Sequence, residues 1–256
     1  MLDIDLSGKR ALVTGAGQGV GRQTARTLAD GGATVYVNDL VPERCEAVVS
    51  EIIEHGGRAE PLVFDVTRFD EVLASIDSTG GLDVLVNNAG NAGAGGFSFA
   101  PVAEQDPAAW EPYLRVNLDG VMFCTRAALP AMIERGGGRV ITIISDAARL
   151  GEPRMAAYAA AKAGAAGFLR SVASEVGRHQ ITVNCISLGT MRTEASGIDL
   201  EETNPDFLKT LLRGYAIRRR GEPIDVANLV AFLASPLASW LTGQTIPLNG
   251  GYSMAL

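Results

Sequence analysis

The sequence predicts one α/β domain over residues 1–256: a doubly wound parallel sheet of about seven strands with helices on both faces. Three observations carry that prediction. Apolar segments of strand length (10–14, 34–38, 61–65, 84–87, 140–145, 182–186 and 245–248) alternate with helix-length periodic segments (21–30, 42–55, 70–78, 107–134, 155–178 and 225–234). Most of the strand segments are near-continuous Val/Ile/Leu runs, as expected where both faces of a strand are covered. Finally, no linker, repeat or low-complexity tract divides the chain. The loosest stretch, about 189–221, has the length of an inserted substrate loop or lid.

Composition narrows the function classes. With 47% hydrophobic residues and a formal net charge of -7, the chain has ample material for a core and no global basic field to hold nucleic acid. Cys45, Cys124 and Cys185 are odd in number and far apart, which argues against a disulfide framework, and His55 and His179 sit in no ligand-spaced cluster, so no metal site is expected. The acidic start, residues 1–5, leads at once into a strand-like run without the basic and apolar regions of a secretion signal. No run of about 18 apolar residues predicts a membrane span. A cytoplasmic location without membrane or nucleic-acid partners is the expectation.

The first strand runs directly into Gly15-Ala16-Gly17-Gln18-Gly19-Val20-Gly21 and then a helix. Glycines there permit a tight turn and close approach of backbone to a pyrophosphate, whose charge the helix amino end favours. The second strand ends at Asp39, eighteen residues beyond Gly21, where a carboxylate would receive adenosine ribose hydroxyls and repel a 2′-phosphate. Neither residue 38 nor residue 40 is a cation, so NAD is expected over NADP.

Thr14-Gly15-x-x-x-Gly19-x-Gly21 resembles the cofactor motif of the short-chain dehydrogenase/reductase family, whose fold is Rossmann-like. Two later segments resemble the same family's pattern: Asp65-Val66, matching the pair that contacts adenine, and Asn87-Asn88-Ala89-Gly90, matching a motif that supports the sheet and borders the cofactor. The resemblance therefore implies cofactor contacts from Gly15, Gln18, Gly19, Val20, Gly21, Asp39, Asp65, Val66, Asn88, Ala89 and Gly90.

Tyr158 and Lys162 are four residues apart in an alanine-rich segment, which puts both on one helical face about 6 Å apart along the axis. A nearby ammonium favours phenolate, so Lys162 is expected to lower the pKa of Tyr158 and suit it to acid/base work. A bare Tyr-x-x-x-Lys is far more often a packed tyrosine beside an exposed lysine. Ser145, thirteen residues earlier at the carboxyl end of the fifth strand, changes the balance, because parallel sheets bind ligands at that edge. Ser145, Tyr158 and Lys162 match the family's catalytic set, and Asn117 resembles its helix-kinking asparagine. The resemblance implies that Ser145 polarises a substrate oxygen, Tyr158 exchanges its proton, Lys162 holds the nicotinamide ribose, and Asn117 connects the lysine to solvent through water.

The pattern departs from the family after the sixth strand. Asn184-Cys185-Ile186-Ser187-Leu188-Gly189-Thr190 carries Leu188 where the family has proline, and loss of that residue is expected to loosen or reshape the loop; Thr190 stays a candidate cofactor contact. Beyond it, Leu200, Phe207, Leu208, Leu211 and Leu212 read either as an apolar lid or as a short packed helix. Arg213 and Arg218–Arg220 read either as a phosphate-binding patch or as structure. The resemblance runs from about residue 6 to 251 and implies a homotetramer paired through the two long helices.

The expectation is an NAD(H)-dependent oxidoreductase interconverting a secondary alcohol and its ketone, on a partly apolar substrate such as a cyclic or steroidal alcohol or a 3-hydroxyacyl thioester. The alternative is an NAD-binding sensor or scaffold without turnover. Serine hydrolysis lacks the G-x-S-x-G elbow, since Ser145 lies between Ile144 and Asp146.

Overall fold

A computed structural model describes residues 4–90, 100–193 and 203–254. Seven parallel strands form one sheet: β1 (Arg10–Val13), β2 (Thr34–Val37), β3 (Arg58–Pro61), β4 (Val84–Asn87), β5 (Gly138–Ser145), β6 (Ile181–Leu188) and β7 (Thr245–Leu248). Their order is β3-β2-β1-β4-β5-β6-β7, so the chain winds outward from β1 and then reverses across β4. The strand order reverses at β1/β4, and ligand crevices in such sheets open at the carboxyl ends there.

Alternation within each strand sorts side chains into two cores. Ala11, Val13, Val84, Val86, Ile141 and Ile143 pack on one face, with α1 (Gly19–Asp30), α2 (Pro42–Glu54) and the late helix Pro223–Ala234. Leu12, Leu85, Val140 and Ile144 pack on the other, with α3 (Phe69–Ser78) and the long helices Gly120–Arg135 and Ala156–Val176. A period of two in an all-apolar run thus fills both faces, which explains why these strands read as continuous hydrophobic segments.

The third strand lies earlier than the sequence suggests. Its apolar run at 61–65 is not the strand; the ladder occupies Arg58–Pro61, where only Ala59 is buried. It is the sheet's edge strand, half open to water, so it lacks the continuous apolar signature. The ladder is replaced beyond Pro61 by a side chain, Asn38 Nδ2 donating to the carbonyls of Leu62 and Phe64, both at 3.0 Å. That exchange swings 62–66 over the nucleotide end of the sheet.

The predicted helix 107–134 is also broken. A 3-10 turn at Pro107–Trp110 leads to α4 (Glu111–Leu114), a π-turn at Arg115–Asp119 and α5 (Gly120–Arg135). Asn117 stands inside the π-turn, fully buried, its Nδ2 donating to the Tyr113 carbonyl at 3.0 Å. A side chain that takes up a carbonyl of the preceding turn is a recognised cause of such local distortion. After β5 come α6 (Ala147–Leu150) and α7 (Ala156–Val176); α8 (Pro205–Leu212) and α9 (Pro223–Ala234) lie between β6 and β7.

The segment 205–212 is a short amphipathic helix: Leu208 is buried while Phe207 is exposed. Leu200 lies outside the described residues. Arg219 is committed to Asp225 at 2.7 Å, and Arg220 is buried, so two residues of the arginine run serve the protein itself. The three cysteines are buried thiols. Among the described residues, no helix is long and apolar enough to cross a membrane, and no cluster of His, Cys, Asp and Glu is placed to hold a metal ion.

Candidate active site

The glycine turn after β1, the ends of β2 and β4 and the 64–66 segment enclose one cleft of about 550 Å³. Gly15, Gln18, Gly19, Val20 and Gly21 form its floor; Asp39, Asp65 and Val66 wall one side, and Asn88, Ala89 and Gly90 the other. Every cofactor candidate from Gly15 to Gly90 therefore meets in a single place. At Gly21, a Cβ would stand 2.5 Å from Asn88 Nδ2, which only glycine avoids. No side chain caps α1 and no acidic residue occupies its first turn, so the helix amino end presents backbone N–H groups to the cleft.

Thr14 and Asn88 lock this turn to the sheet. Thr14 Oγ1 accepts the backbone N–H groups of Asn88 and Ala89, both at 3.0 Å, while Asn88 Nδ2 donates to the carbonyls of Thr14 at 2.9 Å and Gly15 at 3.0 Å. One residue earlier, Asn87 Nδ2 donates to Thr125 and Thr142 hydroxyls, tying β4 to α5 and β5.

Asp39 closes one side of the cleft. Its carboxylate accepts the Gly17 N–H at 3.2 Å and the Val41 N–H at 3.1 Å. Arg44, on the first turn of α2, reaches within 4.0 Å of it and also lines the cleft. Sequence reasoning tested residues 38 and 40 for a cation and missed Arg44. The available signal was helical: a residue a turn into the helix that follows Asp39 returns to the same edge.

The second half of the site lies at the ends of β5 and β6. Ser145 is the last residue of β5, opposite Leu188 of β6, and its Oγ accepts the Ala147 N–H at 3.2 Å. Tyr158 projects from the first turn of α7 and shares a side-chain hydrogen bond with Ser145. Lys162, almost wholly buried, donates to the Ile143 carbonyl at 2.9 Å, with Nζ 5.9 Å above the Tyr158 ring centre. The Asn117 Oδ1 and the Lys162 Nζ both converge on Gly90, 3.0 and 3.2 Å from where a Cβ on that residue would stand. Thus Asn117, Lys162 and the edge of the nucleotide cleft adjoin one another.

The electrostatics differ from the sequence expectation. Burial pushes the Tyr158 phenol up from its ordinary value; the Ser145 hydrogen bond pulls the other way and Glu152 adds to the rise. Lys162 lies over the ring face and spends a donor on a backbone carbonyl, and burial lowers its own pKa to about 8. Desolvation acts on every buried ionisable group, and spacing along a helix carries no information about it.

Several site residues escaped sequence reasoning. Asp146, 1% exposed, accepts from Ser187 Oγ at 2.6 Å, Ser253 Oγ at 2.9 Å, Asn249 Nδ2 at 2.5 Å and Arg149 Nη1 at 3.0 Å. It pins the C-terminal segment 249–253 beside Ser145. Trp110, Tyr113, Arg154 and Met155 line a narrow crevice together with Tyr158, and Arg154 holds a left-handed backbone, φ 70°. A non-glycine residue in that region is uncommon and concentrates at functional sites.

Leu188 does not loosen the chain. It is paired on both sides, with Ser145 and Leu248, and its carbonyl accepts the Asp146 N–H at 2.9 Å, so β6 continues through the position. Proline has no donor for a central ladder, whereas leucine keeps its own. Thr190 lines a neighbouring cavity and is hydrogen-bonded to Tyr215; Thr193, three residues on, lines the nucleotide cleft.

A Gly-rich anion cradle beside a half-buried Ser and Tyr and a buried Lys at the switch point of a parallel sheet defines a dinucleotide-dependent oxidoreductase site, and the chain belongs to the short-chain dehydrogenase/reductase family. The family model described as enoyl-(acyl carrier protein) reductase matches residues 15–253. The chain is 39% identical over 252 residues to the 3-oxoacyl-[acyl-carrier-protein] reductase FabG of Staphylococcus aureus, covering 96% of this chain and 98% of that one. A solved structure of 7 alpha-hydroxysteroid dehydrogenase complexed with NADH and 7-oxo glycochenodeoxycholic acid superposes with a TM-score of 0.87 at 35% identity, over 97% of this chain and 96% of that one. A gluconate 5-dehydrogenase from Burkholderia cenocepacia J2315, in complex with NADP and tartrate, gives 0.90 at 32% identity, over 99% and 98%. The chain is accordingly an enzyme of alcohol/carbonyl redox chemistry that uses a nicotinamide dinucleotide and a small-molecule substrate.

Proposed function

We propose that the protein is an NAD(H)-dependent oxidoreductase interconverting a secondary alcohol and its ketone, with Ser145, Tyr158, Lys162 and Asn117 as its catalytic residues. The observation that supports this most is the convergence of those four side chains at the carboxyl edge of the sheet, beside the nucleotide cleft.

When bound, the dinucleotide supplies or accepts the hydride; the protein's residues manage binding and the proton. Backbone N–H groups at the start of α1 would hold the pyrophosphate, and Asp39 the adenosine ribose hydroxyls, disfavouring a 2′-phosphate. Asp65 and Val66 would flank the adenine, and Gly15 to Gly21 with Asn88, Ala89 and Gly90 the remaining length. Thr193, with Thr190 behind it, belongs to the nicotinamide end. Ser145 donates to the substrate oxygen and stabilises charge that develops there. Tyr158, held protonated at neutral pH by burial, gives its proton to that oxygen in reduction and takes it back in oxidation. Lys162 would hold the nicotinamide ribose and, with Asn117, pass protons through water toward solvent.

Trp110, Tyr113 and Met155 stand beside Tyr158 and would give a substrate apolar contact, in keeping with a partly apolar substrate such as a cyclic or steroidal alcohol or a 3-hydroxyacyl thioester. The 189–221 segment would serve as the substrate loop or lid. Homotetrameric assembly and a cytoplasmic location complete the reading. The test is to offer the purified protein NAD or NADP with a panel of sterol, cyclic and 3-hydroxyacyl substrates and follow the reduced-nicotinamide absorbance. Turnover with NAD on members of that panel is the expected result. Tight NAD binding with no turnover across the panel would instead make it a sensor.

A further inference from the structure

We infer that Tyr215 is a positioning residue for the dinucleotide: its hydroxyl, rather than a proline, sets the turn after β6 and so delivers Thr193 to the cleft. The inference rests on the reading of that cleft as the dinucleotide site.

The turn leaves β6 at Leu188 and must present Thr193 five residues later. Its first anchor is Tyr215, which is 4% exposed and lies just beyond α8, its N–H donating to the Leu212 carbonyl. The phenol accepts the Thr190 backbone N–H at 2.8 Å and donates to Thr190 Oγ1 at 2.9 Å. One hydroxyl thus fixes both the backbone and the side chain of the same residue and directs the Thr190 hydroxyl to itself. The ring makes a close fit possible only because residue 189 is glycine, where a Cβ would meet the Tyr215 ring and hydroxyl at 3.1 Å.

Tyr215 is itself held. It stacks on Tyr252 with centroids 4.8 Å apart and planes at 22°. Tyr252 stands between Asn249 and Ser253, both bonded to the buried Asp146 carboxylate beside Ser145. On the far side, the Gly221 N–H donates to the Thr190 carbonyl at 3.0 Å and the Arg192 N–H to the Gly221 carbonyl at 2.8 Å. Residues 190–192 are therefore clamped from both sides, and Thr193 follows immediately. A phenylalanine would pack in the same space, so the hydroxyl serves the turn and not the core.

The experiment compares wild type, Tyr215→Phe and Thr190→Val by dissociation constants for the reduced dinucleotide that wild type binds more tightly and for ADP-ribose, which lacks the nicotinamide. Tm is measured alongside. Removing the hydroxyl frees a part-buried N–H, and Tyr215→Phe is expected to weaken dinucleotide binding by about 5- to 30-fold while ADP-ribose binding changes by less than about twofold. Thr190→Val is expected to give a smaller loss in the same ligand, and the double variant no more than Tyr215→Phe alone. Equal losses for both ligands with a lowered Tm would make Tyr215 structural and overturn the inference, as would unchanged dinucleotide binding. Wild type that binds ADP-ribose but neither dinucleotide would overturn the cofactor reading, and the Tyr215 role with it.

Discussion

Replacing Asp39 with serine tests the cofactor end of the account most sharply. The carboxylate is 8% exposed and held by two backbone N–H groups, at 3.2 and 3.1 Å, so it cannot swing away from a 2′-phosphate. At a separation of about 5 Å and an effective dielectric of about 40, each unit of phosphate charge costs about 2 kcal/mol beside it. Serine removes that cost and releases Arg44, now 4.0 Å from the carboxylate, toward the phosphate. With about 1.5 to 2 units of charge on the phosphate at neutral pH, NADPH should gain about 10²- to 10³-fold in kcat/KM. NADH should lose the charge-assisted bonds to its ribose hydroxyls, about 1.5–3 kcal/mol or roughly 10- to 100-fold. Initial rates with both cofactors on one ketone, at low and high salt, measure the ratio; salt should narrow the wild-type preference because the repulsion is screened. A ratio that moves less than about threefold in Asp39→Ser, or a wild type that already favours NADPH, would refute the electrostatic argument.

Three further outcomes follow from the same geometry. Alcohol oxidation needs Tyr158 to accept a proton, and burial keeps it protonated at neutral pH, so kcat/KM for oxidation should climb from pH 6 toward alkaline values while reduction falls off on that side; a pH series in both directions checks it, and oxidation that declines over this range would contradict it. Lys162 carries a pKa lowered to about 8, so below that pH the folded state bears the cost of a buried ammonium, and the cost fades as pH rises from 8 toward the ordinary lysine value. Lys162→Met should therefore stabilise the protein at pH 7 by about 1–2 kcal/mol, after allowance for the lost bond to Ile143, while destroying turnover; urea unfolding decides the first point, and a clear destabilisation would sink it. Asn88→Ala strips two donors from the glycine turn and should cost about 1–3 kcal/mol with weaker dinucleotide binding, read by urea unfolding and NADH titration.

Much of the site was legible because its chemistry is written in short spacings. The glycines from 15 to 21 follow a strand and open a helix, and Tyr158 and Lys162 share one helical face, so local geometry alone joins them. The distortion at Asn117 was implied by the family resemblance, and the π-turn there matches it. What was missed depends on contacts that sequence distance hides. Asp146 gathers Ser187, Asn249 and Ser253 across the far end of the sheet, and Tyr215 meets Thr190 across the inserted segment. The third strand was misplaced because an edge strand need not be apolar, and the apolar run beside it belongs to the cofactor wall. The direction of the Tyr158 shift was misjudged because the degree of burial follows from packing and not from the Tyr-x-x-x-Lys spacing.

The most direct test of the central claim is Tyr158→Phe, assayed for reduction of a ketone that wild type accepts and, separately, for NADH binding. Removing the proton donor while leaving the ring in place should cut turnover by about 10²- to 10⁴-fold. The NADH dissociation constant should stay within about threefold of wild type, since phenylalanine keeps the ring and only one hydroxyl is lost. Turnover that survives in this variant, with NADH still bound, would remove Tyr158 from the proton transfer and contradict the account.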